Sequence, residues 1–209
     1  MTRYEEDVVE CYYNLKGYFT MKNVTFPAIK KRPGGKGRGE IDLLAISVKN
    51  AKQKEAHWVE ISVSASSSFP FWDKQGGSAD ESKKIIKKFF TSDAENKIRE
   101  FGLTKYDLKI ITSKHTDTMV DRLTRGLKVH EKARIMDIEE TLMGKLVNIN
   151  HRGILKTIEI IPFDSILKSL KEIYQKQDLL DKNFEDPRLR SIQYYVKKSL
   201  MIEKAARKT

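Results

Sequence analysis

The sequence has one cysteine, no long apolar run and no secretory leader pattern. Cys11 is alone, so the chain cannot form an internal disulfide, and this cysteine usage is typical of a reducing compartment such as the cytosol. No apolar run approaches the roughly 20 residues that a membrane-spanning helix needs, and the charged N-terminus has no apolar leader core. We therefore expect a cytoplasmic protein with no membrane partner.

Two common functional signals are also missing. The sequence contains no Gly-x-x-x-x-Gly-Lys-Ser/Thr loop, so ATP use is not indicated. Its histidines are scattered without the spacing of metal ligands, and neither a zinc site nor a histidine-metal nuclease finger is predicted from His57, His115, His130 and His151.

Basic residues outnumber acidic ones. The chain has 40 lysines and arginines against 29 aspartates and glutamates, which gives a formal charge of +11 and a pI near 9.5. Such an excess favours a polyanionic partner, and nucleic acid is the commonest polyanion inside a cell. A basic surface that serves only solubility is the alternative, and the charge by itself leaves both open.

Helical and strand patterns alternate along the 209 residues, enough for one domain with a sizeable core. They predict helices over 3–16, 93–101, 116–125, 138–146, 163–174 and 187–205, and strands over 24–26, 40–48, 57–64, 106–112, 128–136 and 157–161. A further helix carries Ile85, Ile86, Phe89 and Phe90 on its inner side. This order predicts an α/β fold with a central mixed sheet flanked by helices. We expect a core in residues 1–150, which residues 151–209 complete or extend.

Two of the predicted strands each carry one acidic residue. Asp42 lies in Glu-Ile-Asp-Leu-Leu-Ala and Glu60 lies in Trp-Val-Glu-Ile-Ser. A carboxylate in an apolar strand is costly to bury unless a partner or a metal compensates its charge. Neighbouring strands would place the two carboxylates side by side at a sheet edge, which suits one or two Mg²⁺ ions and phosphodiester hydrolysis. Exposure of Asp42 on a half-buried strand is the alternative.

These residues resemble the PD-(D/E)xK, or restriction-endonuclease-like, nuclease superfamily. There the first core helix often offers a glutamate, a strand offers an aspartate and the next strand offers Glu-x-Lys, at one edge of a small mixed sheet. The resemblance implies a DNA endonuclease in which Asp42, Glu60 and the Ile61 carbonyl hold Mg²⁺ or Mn²⁺, with Glu6 as a further ligand. Glu6 at a helix start is also explained by the helix dipole. Residues 6–19 are similar to the first helix of archaeal Holliday-junction resolvases, and a homodimer would supply one site for each DNA strand.

One position departs from the superfamily pattern. Ser62 stands where the motif has lysine, and its hydroxyl can hydrogen-bond a water but supplies no positive charge. In some members the lysine lies on the following helix, so the resemblance gives Lys83 and Lys87, one helical turn apart, as candidates for the catalytic charge. A solvated helix face or contacts with phosphates are the alternatives for these lysines.

A basic, glycine-rich segment precedes the strand that carries Asp42. Residues 30–39 predict a flexible loop, and glycine beside lysine or arginine allows close approach to phosphates. The position of the loop favours contact with nucleic acid near the acids, through Lys30, Lys31, Arg32, Lys36 and Arg38. A disordered basic linker is the alternative.

Three functional hypotheses follow from these patterns. The first is a Mg²⁺-dependent DNA endonuclease that uses the Asp42 and Glu60 carboxylates. The second keeps the nuclease fold but loses catalysis, as Ser62 suggests, and is a DNA-binding module or subunit. The third is an assembly protein whose basic surface binds an acidic protein partner.

Overall fold

The computed structural model describes residues 3–28, 37–50, 53–62, 85–86, 88–112, 127–128 and 132–206. Within these ranges the strands are β1 (Phe19–Ala28), β2 (Gly37–Asn50), β3 (Gln53–Ser62), β4 (Asp107–Thr112), β5 (Arg134–Glu140), β6 (Lys145–His151) and β7 (Ile154–Pro162). The helices are α1 (Arg3–Leu15), α2 (Ser92–Glu100), α3 (Phe163–Lys176) and α4 (Pro187–Ala206). Residues 85–86 and 88–89 are also helical. None of the described helices is long and apolar enough to cross a membrane.

All seven described strands form one sheet, in the order β1-β2-β3-β4-β7-β6-β5. The three central strands β3, β4 and β7 run parallel, and the remaining pairs are antiparallel. The predicted α/β class with a central mixed sheet is therefore confirmed. β7 lies between β4 and β6, so the chain after residue 150 supplies a strand to the middle of the sheet.

Apolar side chains cover both faces of the sheet. Because successive side chains of a strand point to opposite faces, β3 places Trp58 in one core cluster and Val59 in the other. The Trp58 cluster includes Phe89 and the buried face of α2, whereas the Val59 cluster includes the inner faces of α1, α3 and α4. Strands covered in this way can be apolar along their whole length, which explains the continuous apolar runs of the sequence.

Helix α1 buries one face against the sheet. Val8, Val9, Tyr12 and Tyr13 are all buried, at the spacing of an amphipathic helix. Cys11 is buried with them, and this burial raises the pKa of the thiol to about 11. A buried thiol that stays protonated is a packing residue and not a nucleophile.

The region around residues 134–151 differs from its predicted structure. The predicted strand over 128–136 and helix over 138–146 are replaced by β5, a turn and β6. Ile138, Leu142 and Leu146 stand at helical spacing, but Leu142 is fully exposed in the turn. Thr141 closes that turn, since its N–H donates to the Gly144 carbonyl and its Oγ1 accepts from the Gly144 N–H, both at 2.8 Å. The helix was predicted because β5 is an edge strand whose side chains are mostly exposed. Such a strand lacks the apolar alternation by which a buried strand is recognised in a sequence.

Three smaller differences concern element ends. β1 is much longer than the predicted strand over 24–26, because its partner β2 extends over fourteen residues. The predicted loop over 30–39 ends early, since Gly37, Arg38 and Gly39 already pair with β1. The predicted helix over 116–125 lies outside the described residues.

The turn between β5 and β6 provides a test of the packing. A Cβ added at Gly144 would collide with the backbone carbonyl of Ile160 on β7. We expect Gly144→Ala to lower the free energy of unfolding by about 1–3 kcal/mol, because backbone cannot move aside as a flexible side chain can. Leu142→Ala, at the exposed neighbouring position, should change it by no more than ~0.5 kcal/mol. Urea unfolding measures both, and equal stabilities of the two variants would contradict the packing.

Candidate active site

The two acidic strands meet where the pairing of β2 with β3 ends. Their antiparallel ladder begins at Leu43↔Val59, so Asp42 and Glu60 lie just beyond its last pair. The Asp42 carboxylate takes the place of a strand partner here, since Oδ2 accepts a hydrogen bond of 2.7 Å from the Ile61 N–H. This bond fixes Asp42 beside the backbone of β3, close to Glu60.

The Glu60 side chain is almost completely buried. It is 3% exposed, and its Oε1 accepts a 2.6 Å hydrogen bond from the indole N–H of Trp58. Trp58 is itself inaccessible to solvent, and its ring centroid lies 5.0 Å from that of Phe89. The indole is therefore held in the core, and it orients one oxygen of Glu60 while the other is left for a second partner.

Lys88 is that second partner. Its ammonium forms an ion pair with Glu60 Oε2, lies 3.6 Å from Asp42 Oδ1 and donates a 3.3 Å hydrogen bond to the Glu40 carbonyl. Lys88 belongs to the short helical segment before α2, next to the buried Phe89. One positive charge thus contacts both carboxylates from a position outside the acidic strands.

The pKa values of Glu60 and Lys88 are both raised at this site. Burial, and then the charge of Asp42, raise the pKa of Glu60 to about 8, although Lys88 and the Trp58 hydrogen bond act in the opposite direction. Burial lowers the pKa of Lys88, but the two carboxylates outweigh it and raise the value above the usual range. With one ammonium for two carboxylates, the more buried acid binds a proton more readily than an ordinary glutamate does.

Glu6, on α1, is close enough to the same site for the charge of Asp42 to affect its pKa. Its pKa is raised first by burial and then by the negative charge of Asp42. Three acids from α1, β2 and β3 therefore influence one another, although Glu6 is the most peripheral of them. Carboxylate oxygens are the usual ligands of Mg²⁺ and Mn²⁺, so Asp42 and Glu60, supported by Glu6, are the residues that could hold such an ion.

Only some of the other predicted site residues lie within the described part of the chain. Ile61 enters the site through its N–H, and the role of its carbonyl as a ligand stays a prediction. Ser62 is the last residue of β3, and Arg38 lies in β2 opposite Pro27. The remaining predicted residues lie outside the described part of the chain: Lys83, Lys87, Lys30, Lys31, Arg32 and Lys36.

Lys88 is the functional residue that sequence reasoning missed. The interpretation of the sequence placed the catalytic charge on the face shared by Lys83 and Lys87. The signal that could have found Lys88 is its position three residues after Ile85, which is buried against the sheet. Residues three apart share a helix face, so Lys88 lies on the side that faces the acidic strands.

A second group of polar residues was also missed. Glu55, His57 and Asp107 each place a possible ligand atom within 4.8 Å of the others. His57 and Asp107 are fifty residues apart in the chain and meet because β3 and β4 pair in parallel register. The spacing of the histidines along the sequence could not predict this contact.

The raised pKa of Glu60 makes a prediction about stability. Its value of about 8 in the folded protein exceeds the ordinary value of 4.5. The contribution of this group is fully present below the ordinary pKa and is lost as pH rises through the folded value, with a slope of up to about 1.4 kcal/mol per pH unit. We expect the free energy of unfolding of the parent protein to fall between about pH 5 and about pH 8, relative to that of Glu60→Gln.

Urea unfolding across this pH range measures the difference between the two proteins. Glu100→Gln is the matched control, because Glu100 is an exposed carboxylate of α2, and this variant should follow the parent. Identical pH dependence in the parent and Glu60→Gln would show that Glu60 does not bind the extra proton.

Comparison with known proteins identifies no family for this chain. No protein-family model, curated protein or solved structure matches the chain. The contacts among Asp42, Glu60 and Lys88 are therefore what indicates the chemistry of this site.

Proposed function

We propose that this protein is a metal-dependent DNA endonuclease of the PD-(D/E)xK type, which hydrolyses phosphodiester bonds with Mg²⁺ or Mn²⁺ as cofactor. The observation that carries the proposal is the contact of the Lys88 ammonium with both Glu60 and Asp42. An aspartate, a glutamate and a lysine are the groups that the motif of that superfamily brings together. Here the lysine comes from the segment after β3, which supplies the charge that Ser62 lacks.

The order of the acids along the chain supports the same proposal. Glu6 lies in the first helix, Asp42 in β2 and Glu60 in β3, which is the order that the resemblance implies. The paired strands, and not a loop, position two of these acids, so their separation is held by the sheet. Rigid placement of ligands is what a metal-dependent site requires.

Asp42 and Glu60 fit a divalent cation. Each directs one oxygen toward the same ammonium group, so the two oxygens already converge on a shared positive charge. The other oxygen of each is fixed, by the Ile61 N–H and by the Trp58 indole respectively. When bound there, Mg²⁺ or Mn²⁺ neutralises phosphate charge and acidifies a coordinated water.

Lys88 has a separate role in the proposed reaction. Its ammonium would orient the attacking water and stabilise the negative charge that develops on the phosphate in the transition state. The contact with the Glu40 carbonyl holds the side chain at the site without neutralising it. A preorganised charge of this kind typically contributes about two to three orders of magnitude in rate.

Charge supports DNA as the substrate. The chain carries a formal charge of +11, and the basic residues 30–38 lead into the strand that holds Asp42. Helix α4 adds further basic residues, which are Arg188, Arg190, Lys197 and Lys198. Phosphate contacts of this kind bind duplexes with little sequence preference and weaken as salt rises. In a homodimer the two sites would act on the two strands.

A nuclease-fold module that binds DNA without cutting it is the second candidate. Ser62 at the motif's lysine position favours it, because an ion pair between Lys88 and Glu60 also serves simply to neutralise a buried acid. Both candidates bind DNA with strong salt dependence. They differ in whether Mg²⁺ or Mn²⁺ produces strand cleavage.

A nicking assay on supercoiled plasmid tests the proposed activity. We expect the parent protein to cut in Mg²⁺ or Mn²⁺, and Asp42→Asn or Glu60→Gln to abolish cutting because the ion loses a ligand. Lys88→Met should reduce the cleavage rate by about 10²- to 10³-fold, because it removes the transition-state charge. Salt-dependent DNA binding by all three variants shows that the loss concerns chemistry and not affinity.

Lys97→Met is the matched control for charge. Lys97 lies on α2 and pairs with the exposed Glu100, so its removal changes the net charge equally without touching the site. It should cut as fast as the parent protein. Cleavage by Asp42→Asn at the parental rate would overturn the proposal, and DNA binding by a parent protein that never cuts would favour the second candidate.

A further inference from the structure

A buried histidine lies on β3, three residues before Glu60. His57 is 3% exposed, and its ring packs between Tyr13 and Tyr18, with centroid distances of 5.7 Å and 5.0 Å. Because side chains alternate along a strand, His57 and Glu60 point to opposite faces of the sheet. The surroundings of His57 are therefore separate from the candidate active site.

The two ring nitrogens of His57 have different partners. Nε2 lies 3.0 Å from the Tyr18 hydroxyl and 3.2 Å from Glu55 Oε1, and the hydroxyl lies 2.8 Å from the same glutamate oxygen. These three atoms form a nearly equilateral triangle. Nδ1 lies 3.1 Å from Asp107 Oδ2, a contact with the distance of an ion pair but without the alignment of a hydrogen bond.

The backbone brings these groups together from three places in the chain. Parallel register sets His57 opposite Asp107 on the neighbouring strand β4. Glu55 precedes His57 by two residues and so lies on the same face of β3. Tyr18 follows Gly17, whose φ of +84° turns the chain from α1 into β1.

The possible ligand atoms of this cluster lie close enough together to share one ion. Glu55, His57 and Asp107 each place one such atom within 4.8 Å of the other two. Imidazole nitrogens and carboxylate oxygens are ligands that divalent transition-metal ions bind.

Nε2 is the ring nitrogen that faces Glu55 and Tyr18, so it is the candidate metal ligand. A metal-bound histidine usually donates its other ring N–H to a carboxylate, which fixes the tautomer and orients the ring. Asp107 Oδ2 lies 3.1 Å from Nδ1 and is the carboxylate within reach of that role. Glu55 is placed to share the ion with Nε2.

We propose that His57 and Glu55 bind a divalent transition-metal ion such as Zn²⁺ or Co²⁺, with Asp107 orienting the imidazole. The Tyr18 hydroxyl lies at the third corner of the triangle and is available as a further oxygen donor. Imidazole selects zinc-like ions, whereas Mg²⁺ prefers oxygen ligands alone. The site therefore differs in metal preference from the one formed by Asp42 and Glu60.

Titration of the full chain with Co²⁺ tests this site. The double variant Asp42→Asn/Glu60→Gln removes the carboxylates of the other site and provides the background. We expect this protein to bind one Co²⁺ per chain by calorimetry, with a visible absorption band from the bound ion. Addition of His57→Gln should weaken binding by more than ~100-fold, and Asp107→Asn by about 10- to 100-fold.

Two further variants keep the test interpretable. His151→Gln removes another buried histidine, which lies on β6 against Phe90, and should leave Co²⁺ affinity unchanged. Glu55→Gln alters a half-exposed side chain, so the fold tolerates it, and it should weaken Co²⁺ binding if His57→Gln proves unfolded. Absence of Co²⁺ binding in the background protein, or unchanged affinity after Glu55→Gln and His57→Gln, would overturn the proposal. Neither result depends on DNA cleavage.

Discussion

Burial of the Glu60 carboxyl group is the constraint around which this region of the protein is organised. A buried acid without partners would destabilise the sheet, so several parts of the chain converge on it. Trp58 donates from within the core, and Lys88 approaches from the helical segment beyond β3. Asp42 adds a second negative charge at the same place, which partly cancels the benefit of the lysine. Packing alone gives no reason to gather these charges, and the proposed nuclease site would give one.

The features that could be predicted are those that depend on residues close together in the sequence. The apolar runs around Asp42 and Glu60 identified two buried strands, and the alternation of helices and strands indicated a mixed sheet with helices on its faces. The pairing of those acids was expected because a short connection between strands makes them neighbours. Helix α1 was predicted nearly to its ends, since its buried face has regular spacing.

The features that escaped prediction depend on long-range register. The spacing of Lys88 from Ile85 was a weak signal, because the contacts of its ammonium with Asp42 and Glu60 form only when its helical segment packs against the sheet. The contact between His57 and Asp107 depends on the parallel pairing of β3 with β4. The edge strand β5 was wrongly predicted as part of a helix, because its exposed side chains show no apolar alternation. The position of the exposed Leu142 happened to fit a helical repeat.

The position of β7 also has a consequence for the order in which the chain folds. The β1-β2-β3 meander joins neighbours in sequence, so its hairpins close short loops and can form quickly. In contrast, one partner of β4 is β7, which begins more than forty residues later in the chain, at Ile154. Until the ribosome has released that segment, the apolar edge of β4 lacks its partner and is exposed to mispairing. The central sheet is therefore completed only after Ile154–Pro162 has been synthesised, well after β3 and β4.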